Sequence, residues 1–217
     1  MGRILILGGL GGVALASLWY FWFAYVNRRK GAQALHWMQS ACAGEGRILD
    51  TRWFGSSQVQ LHLQFAAHWF ENVRVTVQLL PRPLPVNWLI SKWRHQKETL
   101  TFEADLGETP GFHLQVFQYR WLTQKHGKIT ATDRDWELAR PGPVVLTTRT
   151  HWTQELTPVV NTLMTSRGHN LLSLHFRHES PHFAATVPLE CLADEETAAS
   201  FLHVLRELAT GASTSMQ

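Results

Sequence analysis

Two patterns of hydrophobic and polar positions divide the chain. From Ile4 to Val26 no residue is charged, a run of 23 that ends in WYFWFAYV just before Arg28, Arg29 and Lys30. From residue 58 onward, apolar and polar residues alternate in short segments instead. In QVQLHLQF (58–65), Val59, Leu61, Leu63 and Phe65 share one side and Gln58, Gln60, His62 and Gln64 the other. NVRVTVQL (72–79) does the same with Val73, Val75, Val77 and Leu79. A period of two marks half-buried strands, and these two are predicted to pair as a hairpin across AAHWFE. LTFEADL and FHLQVF predict two more strands around the turn GETPG. PVVLTTR, LLSLHFR and FAATVPL predict three further strands, the last two as a hairpin around HESPH.

Helical segments separate these strands. GAQALHWMQSACA (31–43) puts Ala34, Leu35, Met38 and Cys42 on one side, and GEG at 44–46 breaks it. Pro85 is well placed as the first residue of a helix running to about His95, because its missing N–H costs nothing in a first turn. Thr157 and Pro158 open a helix carrying Val159, Val160, Leu163 and Met164 to Gly168. Asp194, Glu195 and Glu196 begin the last helix, with Phe201, Leu202, Leu205 and Leu208 on its apolar side and Gly211 at its end.

The pattern predicts an α+β fold: an N-terminal transmembrane helix, then antiparallel sheet with helices on one face. Strand starts at 73, 99 and 112 match those at 144, 171 and 183 with near-constant offset, and Pro85, Val86 and Arg94 match Pro158, Val159 and Arg167. The expectation is a duplicated β-α-β-β unit, with convergent spacing in an ordinary α+β domain as the alternative. The implied boundaries are an anchor over 1–30 (helix about 4–26), a juxtamembrane helix and linker over 31–46, a first unit over 47–125, a second over 126–211, and a frayed tail over 212–217.

Two readings compete for the opening segment. Gly9, Gly11 and Ala14 fit the G-x-G-x-x-G/A spacing that lets backbone approach a pyrophosphate. A crossover helix in a soluble nucleotide-binding domain needs a polar face, and this run has none. As a helix it spans about 35 Å, enough to cross a hydrocarbon core with some tilt. Trp19, Tyr20, Trp22 and Tyr25 gather where amphipathic rings settle at the lipid–water boundary. Ala14-Leu15-Ala16 resembles a signal-peptide cleavage site, but cleavage would leave an apolar stub beginning SLWYFWFAYV, so an uncleaved anchor is the better expectation. Arg3 on one side against Arg28, Arg29 and Lys30 on the other places the large C-terminal part on the cytoplasmic side. Gly8, Gly12 and Ala16 form a small-residue stripe that permits close packing of two such helices, and hence a homodimer.

Charge changes the picture further. A pI near 9.1 looks basic. Four of the 20 Lys and Arg flank the anchor, however, leaving 16 against 17 acidic residues in the remainder. That near-neutral balance lacks the footprint of a nucleic-acid binder. KWRHQK (92–97) is locally basic and is expected to be a solvated helix face, with nucleic-acid or lipid-headgroup contact as the alternative. The 2 cysteines, Cys42 and Cys191, make neither a disulfide framework nor a thiolate metal site.

Chemical motifs are sparse. HESPH, His178 to His182, satisfies H-E-x-x-H, whose two histidines must sit one helical turn apart to hold zinc. Pro181 inside that turn and the flanking strand patterns predict a turn instead. His175, His178 and His182 remain as candidate metal ligands. G-x-S-x-G is absent, and TDRDWE (132–137) lacks the glycine and terminal acid of a calcium loop. No cofactor is expected. The outward strand positions, among them Gln60, His62, Gln78, His113 and His175, form a polar and mostly uncharged face on which a partner is expected to dock. The leading expectation is thus a single-pass anchored domain that recruits partners at a bacterial-type inner membrane. Two alternatives stand beside it: a hydrolytic enzyme with a site near His175 to His182, and a domain that binds a lipid or small ligand between sheet and helices.

Overall fold

The structure, a computed structural model, describes residues 2–42, 46–65, 70–107, 109–110, 112–118, 137–139, 144–148 and 171–214. Helix α1 (Gly2–Ala41) is one uninterrupted helix of 40 residues. At 1.5 Å per residue it is about 60 Å long. The expected anchor and juxtamembrane helix are thus continuous through residue 31. Gly31 does not break α1 but lets it approach the sheet: a Cβ there would lie 2.7 Å from Trp53 Cη2 and 3.3 Å from Val59 Cγ1.

Among the described residues, nine strands form a single antiparallel sheet in the order β1-β2-β3-β4-β9-β8-β5-β7-β6. They are β1 (Gly46–Phe54), β2 (Gln58–Phe65), β3 (Phe70–Gln78), β4 (Thr99–Leu106), β5 (Leu114–Gln118), β6 (Glu137–Ala139), β7 (Val144–Thr148), β8 (Ser173–Phe176) and β9 (Phe183–Pro188). Helix α2 (Pro85–Trp93) lies between β3 and β4, and helix α3 (Glu195–Thr214) is the last described element. The alternation read from β2, β3 and β4 is realised: Val59, Leu61, Leu63, Val73, Val75, Val77, Leu100 and Phe102 are all buried on one face. Phe70, Phe102, Phe183 and Phe176 continue across β3, β4, β9 and β8 with neighbouring ring centroids 5.1–6.2 Å apart. Burying each such side chain contributes about 1.5–3 kcal/mol.

Two helices cover that face. The last turns of α1 bring Ala34, Leu35, Met38 and Cys42 onto it, and α3 adds Ala198, Phe201, Leu202, Leu205 and Leu208, all within one contiguous core. The start of α3 is fixed by reciprocal capping. The Thr197 N–H donates to Asp194 Oδ1 at 2.8 Å while the Asp194 N–H donates to Thr197 Oγ1 at 3.2 Å. These are the orphan donors that an N-terminus must satisfy.

Several expectations are corrected. The turn GETPG does not join a hairpin: β4 pairs with β3 and β9, and β5 with β7 and β8. Strand neighbours therefore do not repeat. β3 and β4, which flank α2, are paired, whereas β7 and β8 are separated by β5. The strands of the two expected units interleave in one sheet over one core, so a simple tandem duplication does not describe the topology. Strand β1 lies in a stretch for which no strand was expected. Helix α3 runs through Gly211 to Thr214 rather than stopping at the glycine. The helix expected from Thr157 to Gly168 and the segment TDRDW lie outside the described residues.

Candidate functional site

The residues that join α1 to the sheet form a polar knot at the end of the apolar run. Asn27 is fully buried. Its Nδ2 donates to the carbonyls of Ser56 (3.1 Å) and Leu80 (2.9 Å), and its Oδ1 accepts from Arg82 Nη1 at 2.9 Å. Arg82 Nη1 also pairs with Glu98 Oε1 at 2.7 Å, and Lys30 Nζ stands 3.5 Å from Glu98 Oε2. Glu98 thereby links α1 to the start of β4. Asn27 shares its side of α1 with Gly31, Ala34, Leu35 and Met38, all buried, so the helix face that meets the domain begins where the charged residues begin. Periodicity was the available signal: Asn27 stands one turn before Gly31 on that stripe.

N-terminal to this knot, most of α1 from Gly9 to Val26 is exposed. Among the described residues, one helix is long and apolar enough to cross a membrane, and none of its most apolar window is buried. Gly12 and Ala16 are exposed on it, and nothing lies within 4 Å of a Cβ built at Gly12. Helical geometry sets Gly8, Gly12 and Ala16 one turn apart along one face. Helix α2 reaches back along this exposed part. Trp88 meets Trp19 and Phe23 with ring centroids 6.2 Å and 6.5 Å away, and Trp19 Nε1 donates to the Arg82 carbonyl at 3.2 Å.

The opposite face of the sheet carries the polar positions. Register sets Gln60 between Arg52 and Thr76, His62 between Asp50 and Arg74, and Gln78 beside Gln58 and Thr99. His175 lies between Gln115 and Ala184. Gln60, His62, Gln78 and His175 thus share one face by strand alternation, and His113 just precedes β5. The face is not uniform. Gln78 and Arg74 are exposed and Gln60 and His62 half-buried, whereas Ser173, Ala184 and Thr186 are buried. Arg74 stands 3.9 Å from Glu103, and the hydroxyls of Thr101 and Thr186 share a hydrogen bond at 3.2 Å. The accessible part of the face is therefore the β2–β4 side.

HESPH is not helical. It spans the β8–β9 connection, with a cis Ser180–Pro181 bond and the Arg177 N–H donating to the His182 carbonyl at 2.9 Å. The three candidate ligands go separate ways. His178 is exposed and packs edge-on against His113 with centroids 4.4 Å apart. His182 Nδ1 accepts from the Leu106 N–H at 3.3 Å, and His175 stays within the sheet. Among the described residues, no three His, Cys, Asp or Glu side chains are grouped to hold a metal ion. The structure adds a neighbour that sequence spacing did not reveal. Asp105, at the end of β4, accepts from Asn72 Nδ2 at 3.0 Å, and Asn72 adopts a left-handed φ of 48°. Partial burial pushes the Asp105 carboxyl up, but hydrogen bonds from Asn72, Ser180 and the His182 backbone, with the nearby His182 ring, outweigh it and hold the carboxyl below its ordinary value.

A cleft of about 480 Å³ opens beside the knot, lined by Lys30, Gln33, Trp37, Gln96, Glu98 and Leu189 among others. Its polar rim is already occupied by internal ion pairs, including Lys97 Nζ with Glu190 Oε1 at 2.5 Å. Comparison with family models and with curated proteins finds no match for this chain.

Proposed function

We propose that the chain is a single-pass membrane protein whose α+β domain is held rigidly against the bilayer and recruits a partner there. One observation carries this reading: the helix that would cross the bilayer is also a core helix of the domain. The exposed apolar part of α1 and the buried stripe of Asn27, Gly31, Ala34 and Met38 lie on one unbroken rod. A flexible tether would need a linker between the two, and α1 has none. Mounting a domain rigidly on its anchor fixes which face looks along the membrane, so a partner held at the bilayer meets a pre-oriented surface and the cost of ordering it falls. The excess of basic residues after the apolar run favours a cytoplasmic domain.

Two surfaces support recruitment. The β2–β4 side of the polar face, with Gln60, His62 and Gln78, offers donors and acceptors without a strong field, and Gly8, Gly12 and Ala16 offer close helix packing in the bilayer. The test is to isolate the full-length chain in mild detergent and identify what remains bound. The experiment is then repeated with Gln60→Arg/Gln78→Arg and with Gly12→Leu. A partner lost only with the first change assigns the sheet face, and a dimer lost only with the second assigns the helix stripe. A lone monomer with no partner from the unmodified chain removes the proposal. The cleft beside Trp37 gives the small-ligand reading a location, whereas the dispersed histidines give the hydrolytic reading none among the described residues.

A further inference from the structure

Helix α2 is built inside out. Val86, Leu89, Ile90 and Trp93 follow the i, i+3, i+4, i+7 spacing of an apolar stripe that ordinarily faces a core. Here that stripe faces away from the protein: Val86 is 68% exposed, Leu89 63% and Trp93 81%, while the residue turned inward is Ser91 at 6%. Leu84, just before the helix, is also exposed. Leaving four large side chains in water forfeits about 1.5–3 kcal/mol each relative to burial. The site of this face identifies what covers it.

The segment from Leu80 to Glu98 is pinned at both ends to the level of α1 where the charges lie. The Leu80 carbonyl is held by Asn27, and Glu98 by Arg82 and Lys30. Between those ends the segment turns back toward the N-terminus of α1, so that Trp88 touches Trp19 and Phe23. Trp19 and Phe23 are eight and four residues before Asn27, about 12 Å and about 6 Å along the helix, so Trp88 sits between those levels. If Arg28, Arg29 and Lys30 stand among lipid headgroups, Trp88 lies below them. An interfacial helix buries its apolar face about 5–10 Å into the headgroup–acyl boundary, which matches that depth. The charges agree: Lys92 Nζ lies 5.4 Å over the Trp88 ring, and the exposed Arg94 follows the stripe at its C-terminal end, where cations meet anionic headgroups.

We infer that α2 is a second membrane-contact element, lying in the interface of the same bilayer with Val86, Leu89, Ile90 and Trp93 among the lipids. This rests on the reading of α1 as a membrane span. With one helix crossing and a second lying in the interface, rotation of the domain about α1 is blocked, and the polar sheet face keeps one heading along the membrane.

The test uses the full-length chain in nanodiscs containing anionic lipid, with a photo-activated benzophenone residue placed singly at Leu89, Trp93, Phe21 or Gln64. All four positions are exposed, so folding is not at issue, and urea unfolding of each variant confirms it. The expected result is lipid adducts at Leu89 and Trp93 comparable to Phe21 and at least about tenfold above Gln64. Adducts at Phe21 with none above the Gln64 level at Leu89 and Trp93 would overturn the α2 inference while leaving α1 as a span. Adducts to a second copy of the chain at Leu89 and Trp93, in place of lipid, would overturn it equally and assign the stripe to a dimer contact. Absence of lipid adducts at Phe21 as well would remove the anchor itself.

Discussion

Replacing Asn27 with alanine is the most informative single change at the junction. The substitution deletes two N–H donors and one acceptor from a site with no exposure to water. The part-buried Ser56 carbonyl then loses its side-chain donor, at about 1–3 kcal/mol for a group left unpaired, while the Leu80 carbonyl loses one of two donors and keeps the Arg82 N–H at 2.8 Å, a loss of about 0.5–1.5 kcal/mol. Arg82 is the lesser loss, because it keeps Glu98 at 2.7 Å and its charge stays paired. Helix propensity favours alanine over asparagine by a few tenths of a kcal/mol, about 0.5 at most, and offsets little. The net expectation is about 2–4 kcal/mol of destabilisation. In a urea titration of the full-length protein in mild detergent, followed by near-ultraviolet circular dichroism of the packed aromatic core, this moves the midpoint down by about 1–2 M. Gln64→Ala, on an exposed strand position, serves as the control and is expected to stay within about 0.5 kcal/mol. An Asn27→Ala midpoint indistinguishable from the control would refute the claim that this knot fixes α1 to the domain.

Other substitutions separate the surfaces. Trp93→Ser is expected to leave urea stability within about 0.5 kcal/mol, whereas a core-facing α2 would make it cost several kcal/mol, as Leu205→Ala in the core does at about 2–5 kcal/mol. Gly31→Val brings a side chain against Trp53 and Val59 where even a Cβ is 2.7 Å from the indole, and is expected to cost about 1–3 kcal/mol by the same titration. Asp105 supplies a pH signature. Its folded carboxyl sits below the ordinary 3.8, so its contribution is complete above that value and lost as pH falls through the lower, folded one. Asn72→Ala removes a hydrogen bond to the carboxylate and is expected to raise the Asp105 titration, read by nuclear magnetic resonance of its carboxyl carbon in selectively labelled protein. An unmoved titration would dismiss Asn72 as a cause.

Strands with strict alternation were legible because one face meets the core and the other does not. Strands β2, β3 and β4 each place their valines, leucines or phenylalanines on the buried side. Strand β1 was not legible for a physical reason. The register shifts between Ile48 and Asp50, breaking the period of two, and as an edge strand it leaves Leu49 and Phe54 exposed. Pairing was harder to read than existence. GETPG looks like a hairpin turn, yet β4 takes β9 as its neighbour because no local signal encodes which distant strand fills an edge. Of the candidate site, the polar face could be read from Gln60, His62 and Gln78, since alternation alone fixes it. The Asn27–Arg82–Glu98 knot could not, because its members lie 16 to 71 residues apart and only the fold brings them together. The apolar stripe of α2 was visible as a periodicity, but a stripe does not say whether it faces a core or a membrane.

The account depends on α1 lying in lipid for most of its length, and fractionation of the full-length chain tests this most directly. Membranes from expressing cells, washed in alkaline carbonate, are expected to retain the protein until detergent is added. Recovery of the intact chain as a monodisperse species in the aqueous fraction, with no detergent present, would contradict it.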